Sequence, residues 1–122
     1  MTTILIADDD RNLTALYEQE LTDDGYRVEI LHDARQAINR VDEAPPDLLI
    51  LDIQMPGMDG IEALSHVIGK NHRLPVILNT AYSNHKENFR TWSADAYVVK
   101  SSDLAELKET IQSVLKARAA EG

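Results

Sequence analysis

The stretch LLILDIQMPGMDG, residues 48–60, runs from four aliphatic residues to a carboxylate, Asp52, and then into a Pro-Gly loop. A short aliphatic run bounded by turn residues is typical of a strand that is buried on both faces of a parallel sheet. An ionised carboxylate resists leaving water, so an unpartnered acid at the end of such a run is costly. The stretch therefore predicts a central parallel strand with a functional acid, Asp52, at its carboxyl end.

Strand-like and helix-like segments alternate on both sides of this stretch. Four further strands are predicted, at TILIA (3–7), YRVEIL (26–31), PVILN (75–79) and AYVV (96–99). Strict alternation with helices favours an α/β fold with a doubly wound, five-stranded parallel sheet in the order 2-1-3-4-5. In this flavodoxin-like topology helices cover both faces of the sheet, and the amphipathic second strand is expected at an edge.

Turn and cap residues mark the ends of the predicted helices. Gly25 should end the first helix, and Asp33 and Asp103 should begin the second and the last. Pro45 lies beyond the end of the second helix, because proline cannot continue one. We expect one domain over residues 1–122, with a core at about 2–117 and a loose C-terminal tail.

Composition excludes several classes of function. The net charge of −9 argues against generic binding to nucleic acid or to an anionic membrane. The N-terminal residues lack the pattern of a signal peptide, and no apolar run is long enough to span a membrane. The chain has no cysteine, which excludes disulfides and suits a cytoplasmic protein.

The predicted topology brings polar residues from four strands to one edge of the sheet. They are Asp8, Asp9 and Asp10 after the first strand, Asp52 after the third, Thr80 after the fourth and Lys100 after the fifth. At a separation of about 4 Å and an effective dielectric constant near 20, two carboxylates repel by about 4 kcal/mol. Either one carboxylate is protonated, or a hard cation, Mg²⁺ or Mn²⁺, relieves this repulsion.

Zinc is not expected, because the four histidines are predicted to lie away from this edge, at positions His32, His66, His72 and His85. A metal ion, a lysine and a hydroxyl around an aspartate suit phosphoryl transfer instead. The cations neutralise charge on the transferred group, and aspartate is a competent nucleophile.

Four motifs, in this order and spacing, resemble those of the receiver domain of two-component response regulators. They are ILIADDD, LLILDIQMPGMDG, ILNTAY and ADAYVVK, and the resemblance covers essentially the whole chain. It implies that Asp52 is the phosphorylated residue. It also implies a Mg²⁺ site in which Asp9 and Asp52 bind directly, Asp8 acts through water and Gln54 contributes its backbone carbonyl.

The same resemblance assigns roles to the ends of the last two strands. Thr80 and Lys100 would each contact a phosphoryl oxygen, and Tyr97 would be the aromatic residue that turns inward as Thr80 moves. Asp10 is one acid more than the motif requires, and we expect it to be solvated near a helix N-terminus.

We therefore expect a stand-alone receiver that is phosphorylated by a histidine kinase or a histidine phosphotransfer protein and is read by an output protein of unknown identity. Such a switch is not an enzyme with a separate substrate. Two alternatives remain: a degenerate receiver that binds partners without phosphorylation, and an Asp-nucleophile phosphohydrolase. Gln54 stands where a phosphohydrolase would usually have a general acid, and the chain has no room for a substrate cap.

Two features depart from the family pattern. Ser101 stands where most receivers have a proline joined through a cis bond, and a cis bond before another residue costs about 2.5–4 kcal/mol. We therefore expect a trans Lys100–Ser101 bond. The segment between Thr80 and Tyr97 is also shorter than the resemblance implies, which predicts a short helix over about 84–92 and a monomer that dimerises at most transiently.

Overall fold

The computed structural model describes residues 1–53, 60–70, 73–81, 94–101 and 103–121. Its strands are β1 (Thr3–Ala7), β2 (Arg27–Leu31), β3 (Leu48–Leu51), β4 (Val76–Thr80) and β5 (Ala96–Val99). Within the described ranges the helices are α1 (Arg11–Asp23), α2 (Ala34–Glu43), α3 (Gly60–Lys70) and α4 (Ala105–Glu121). None of these helices is long and apolar enough to cross a membrane.

The five strands form one parallel sheet in the order β2-β1-β3-β4-β5, which confirms the predicted topology. The aliphatic run 48–51 is the central strand, and all four of its residues are buried. β2 is an edge strand and is only partly buried, as its mixed composition predicts.

Two apolar layers enclose the sheet, one on each face. On β1, Leu5 and Ala7 pack on the side of α2 and α3, whereas Ile4 and Ile6 pack on the side of α1 and α4. This alternation follows from the period of two residues in a strand. Because both faces are covered, the acids Asp8 and Asp52 lie just beyond the ends of β1 and β3 rather than along them.

Aspartate side chains begin three helices. Asp10 accepts a hydrogen bond from Leu13 N at 3.0 Å, and Asp33 accepts one from Arg35 N at 2.7 Å. Asp103 accepts one from Ala105 N at 3.0 Å. Each carboxylate satisfies a backbone N–H that has no partner within its helix, so the predicted helix starts at Asp33 and Asp103 are confirmed.

The C-terminal segment differs from the expectation. Residues 117–121 were expected to be loose, but α4 continues through Glu121. Alanine and arginine are strong helix formers, and Arg118 also makes an ion pair with Asp95 at 2.9 Å, which ties the end of α4 to the start of β5. The described part of the tail, through Glu121, is therefore helical.

The two departures from the family pattern have different outcomes. No peptide bond among the described residues is cis, which confirms the trans bond between Lys100 and Ser101. The short helix predicted over about 84–92 lies outside the described residues and stays a prediction.

Gly25 ends α1 through its backbone conformation. Its φ of 98° lies in the left-handed region, and its N–H donates to Thr22 O at 3.0 Å. Tyr26 N donates to Leu21 O at 3.1 Å, which completes the paired hydrogen bonds of a glycine-terminated helix.

We predict that Gly25→Ala destabilises the protein by about 1–2 kcal/mol, because an L side chain is strained at positive φ. A Cβ atom at Gly25 would meet nothing within 4 Å, so the cost is conformational rather than steric. Gly69→Ala is the matched control, since that site is equally open but helical, and the change should stabilise by about 0.5–1 kcal/mol. Urea unfolding measures both, and a loss of stability in both variants would contradict the assignment.

Candidate functional site

Backbone hydrogen bonds continue one residue beyond the strands and align the acids. Ala7 and Leu51 are register partners at the ends of β1 and β3. Asp52 N donates to Ala7 O at 2.9 Å, and Asp8 N donates to Leu31 O at 3.0 Å. The sheet thus places the Asp8 and Asp52 backbones side by side at its carboxyl edge.

Lys100 reaches both acids from the far side of the sheet. Its Nζ atom lies 2.8 Å from Asp52 Oδ2 and 2.9 Å from Asp8 Oδ2. The backbone N–H of Lys100 donates to Thr80 O at 2.7 Å, so β4 fixes the point from which the lysine side chain extends. The two carboxylates are almost fully buried, and the lysine side chain is 14% exposed.

Three carboxylates are grouped closely enough to share a metal ion. Oxygen atoms of Asp8, Asp9 and Asp52 all lie within 4.8 Å of one another, and Asp9 is the exposed member. Three negative charges and the one positive charge of Lys100 leave a formal charge of −2. That charge and an all-oxygen donor set fit a divalent hard cation such as Mg²⁺. Gln54, the predicted carbonyl ligand, lies outside the described residues.

Burial and charge act against each other within this group. Burial raises the pKa of Asp8, while hydrogen bonds from Asp10 N and Lys100 oppose the rise without cancelling it. Burial lowers the pKa of Lys100, but its hydrogen bonds with Asp52 and Asp8 outweigh burial, so the net shift is upward. Lys100 is therefore charged at neutral pH and stabilises the carboxylates around it.

Thr80 and Tyr97 lie on the other face of the sheet from Asn79 and Val98. Leu78 and Tyr97 are register partners, and both belong to the apolar cluster on the side of α2 and α3. Thr80 is fully buried at the end of β4, and its Oγ1 has no hydrogen-bond partner within the described part of the chain. A buried hydroxyl of this kind can donate to an anionic group that binds at the sheet edge.

One histidine lies closer to the site than the sequence indicates. His32 Nδ1 is 2.8 Å from the backbone carbonyl oxygen of Asp8, so the expectation that all four histidines lie away from this edge was wrong. His32 directly follows β2, and β2 neighbours β1, so its position in the strand order was the available signal. The contact is to a backbone oxygen and fixes the acidic segment.

Asp10 lies beside the acidic group and orients one of its carboxylates. Asp10 is exposed and begins α1, as expected. Asp10 N also donates to Asp8 Oδ1 at 2.9 Å, which orients the Asp8 carboxylate.

Asn79 Nδ2 donates to Tyr17 OH at 2.7 Å, a buried contact between β4 and α1 that sequence reasoning missed. The signal for it was an amide in a strand whose other residues before Thr80 are aliphatic.

Comparison with known proteins identifies relatives of the chain. Residues 4–112 match the family model described as "Response regulator receiver domain". The response regulator ArlR of Staphylococcus epidermidis is 36% identical over 118 residues, which is 95% of this chain and 53% of ArlR. The chain thus spans about half the length of this curated relative.

Two solved structures of a response regulator have a closely similar fold. The response regulator TrrA of Thermotoga maritima, solved in complex with Mg(2+)-BeF, has a TM-score of 0.88 and 37% identity over 93% of this chain and 99% of TrrA. TrrA solved in complex with the histidine kinase ThkA has a TM-score of 0.86 and 37% identity over 94% of this chain and 99% of TrrA.

We predict that Asp8→Asn stabilises the metal-free protein more at pH 7 than at pH 4. Because the folded-state pKa of Asp8 lies above its ordinary value of 3.8, the ionised form is disfavoured in the folded state. This penalty is absent below the unfolded pKa and reaches its full size as the pH rises through the folded pKa. Urea unfolding in a chelator at about pH 4 and about pH 7 measures the difference.

Asp9→Asn is the control for this comparison, because it removes the neighbouring acid of the group at an exposed position. A gain in stability from Asp8→Asn that is equal at the two pH values, or larger at the lower one, would show that the ionised Asp8 carboxylate does not destabilise the folded state.

Proposed function

Because the chain belongs to the receiver-domain family of response regulators, we propose that it is a phosphoaccepting switch of a two-component system in which Asp52 accepts a phosphoryl group. The donor is a histidine kinase or a histidine phosphotransfer protein, and the reaction depends on Mg²⁺. The single observation that carries the proposal is the position of Lys100, with its Nζ atom 2.8 Å from Asp52 at the centre of the acidic group.

In the proposed transfer, a carboxylate oxygen of Asp52 attacks phosphorus. The new O–P bond forms as the P–N bond to the donor imidazole breaks, and the bonding electron pair leaves with the imidazole nitrogen. Lys100 and the hydroxyl of Thr80 contact the phosphoryl oxygens and offset their charge. Lys100 is already paired with Asp52, so it needs little movement to follow the group that arrives there.

A divalent cation fits the acidic group that the described residues form. We assign Asp9 and Asp52 as direct ligands, Asp8 as a ligand through water, and the carbonyl of Gln54 as the fourth protein group. When bound, the ion neutralises charge on the phosphoryl oxygens. Mn²⁺ has similar ligand preferences and should substitute for Mg²⁺.

The proposed output begins at Thr80. Its Oγ1 is buried without a hydrogen-bond partner among the described residues, so a phosphoryl oxygen would supply the missing acceptor. Movement of Thr80 toward that oxygen would change the space beside Tyr97, which lies on the same face of the sheet. Partners would read this change on the surface around β5. We propose a protein that is monomeric, or dimerises only transiently, and acts through an output partner rather than by substrate turnover.

The partner and the setting follow from the same reasoning. TrrA has been solved in complex with a histidine kinase, and we propose that this chain docks on a kinase in the same role. Residues 1–122 would form one receiver domain, and its place would be the cytoplasm, where such kinases present their phosphohistidine. An acidic surface makes direct binding to nucleic acid or an anionic membrane unfavourable.

We predict that the wild-type protein gains one phosphoryl group from acetyl phosphate in Mg²⁺ and that Asp52→Asn gains none, because the amide is not a nucleophile. Intact-mass spectrometry measures the gain, and a chelator should abolish it. Asp47→Asn is the matched control, since Asp47 lies at the opposite edge of the sheet beside Thr3 and should keep wild-type labelling.

Equal labelling of Asp52→Asn and the wild-type protein would overturn the assignment of the acceptor. Labelling of neither protein by any donor, with Mg²⁺ still bound, would favour the degenerate receiver.

A further inference from the structure

A buried hydrogen bond joins α1 to β4 beside the acidic group. Asn79 Nδ2 donates to Tyr17 OH at 2.7 Å, and each residue is 1% exposed. Both residues lie on the face of the sheet that α1 and α4 cover, and Tyr17 belongs to the same apolar cluster as Ile77. The bond therefore connects the first helix to the strand that ends in Thr80.

The pair also lies within the electrostatic reach of the site. Burial raises the pKa of Tyr17, the hydrogen bond from Asn79 lowers it, and the charge of Asp8 raises it further, with a net upward shift. Tyr17 thus keeps its proton at neutral pH. Strand alternation places Asn79 on the same side of β4 as Ile77, and the next residue, Thr80, binds Lys100 N through its carbonyl oxygen at 2.7 Å.

Packing alone gives no reason for an amide at this position. β4 is buried along its whole length, and asparagine is a poor strand former. Asn79 Oδ1 is buried and has no hydrogen-bond partner within the described residues, which is unfavourable for folding. An aliphatic side chain of similar size would avoid that cost. Polar groups that cost stability in a core are characteristic of functional sites.

We propose that Tyr17 and Asn79 are positioning residues for the phosphoryl transfer. Their hydrogen bond holds the carboxyl end of β4 against α1 and so fixes where the Thr80 hydroxyl lies relative to Asp52. This inference rests on the proposed function, because it assigns the pair to the same reaction. Neither residue touches the transferred group; each acts through the position of Thr80.

The test compares Tyr17→Phe, Asn79→Leu and the double variant with the wild-type protein. We measure the rate constant of phosphorylation by acetyl phosphate at saturating Mg²⁺, the dissociation constant of Mg²⁺, and stability in urea. Tyr26→Phe is the matched control, because it removes a hydroxyl from a tyrosine that packs on the same face but borders β2.

Each single variant should be phosphorylated roughly fivefold more slowly, or slower still, because a small displacement of a catalytic group is costly. The double variant should be no slower than the slower single variant, since both changes break the same bond. The Mg²⁺ dissociation constant should stay within about twofold of wild type, because the three acids follow β1 and β3 rather than β4. The double variant should be at least as stable as Asn79→Leu alone.

A wild-type rate in Tyr17→Phe would overturn the positioning role, even if Asn79→Leu fails to fold. Rate losses that multiply in the double variant would overturn it as well, since they would show two independent effects. Weakened Mg²⁺ binding in proportion to the slower rate would assign the pair to the metal site instead. Failure of the wild-type protein to be phosphorylated would remove the proposed function itself and this inference with it, whereas normal phosphorylation with an unaffected Tyr17→Phe removes the inference alone.

Discussion

The contact of the Lys100 ammonium with two buried carboxylates is the interaction on which the rest of the site depends. Asp8 and Asp52 are each almost fully buried, and oxygen atoms of their carboxylates lie within 4.8 Å of each other. Two negative charges this close repel strongly where water is scarce. Lys100 bonds to both and is itself kept charged by them, because their hydrogen bonds outweigh the effect of burial on its pKa. One positive charge cannot balance three acids, and the remaining negative charge suits a divalent cation.

The parallel sheet directs neighbouring polar residues of β4 and β5 to different faces. Asn79 faces the layer of α1 and α4, where Tyr17 binds it. Tyr97 faces the layer of α2 and α3, and strand alternation places Thr80 on that side as well. Asn79 and Thr80 are consecutive residues of β4, so they point to opposite faces of the sheet. A single strand, β4, therefore connects the acidic edge of the sheet with both apolar layers.

The sequence was sufficient for the fold because its signals are local and agree with one another. The aliphatic run 48–51 predicted the central strand, Asp33 predicted a helix start, and the strand order followed from the alternation of elements. The grouping of Asp8, Asp52 and Lys100 also followed, since parallel strands end at one edge.

Side-chain contacts across the fold were not predictable in this way. The approach of His32 to Asp8 and the bond between Tyr17 and Asn79 depend on how rings are oriented by tertiary packing. The ion pair of Arg118 with Asp95, which ties the end of α4 to the start of β5, is equally non-local.

The most direct test of a cation-dependent phosphoryl site is thermal unfolding with Mg²⁺ and beryllofluoride, separately and together. A ligand at free concentration c that binds only the folded state stabilises it by RT ln(1 + c/Kd) and so raises the melting temperature. We expect Mg²⁺ alone to stabilise the protein, beryllofluoride alone to have no effect, and the two together to stabilise more than Mg²⁺ alone. Asp52→Asn should lose the additional stabilisation. An equal shift from beryllofluoride without Mg²⁺, or an undiminished shift in Asp52→Asn, would contradict a site built on Asp52, the acidic group and Lys100.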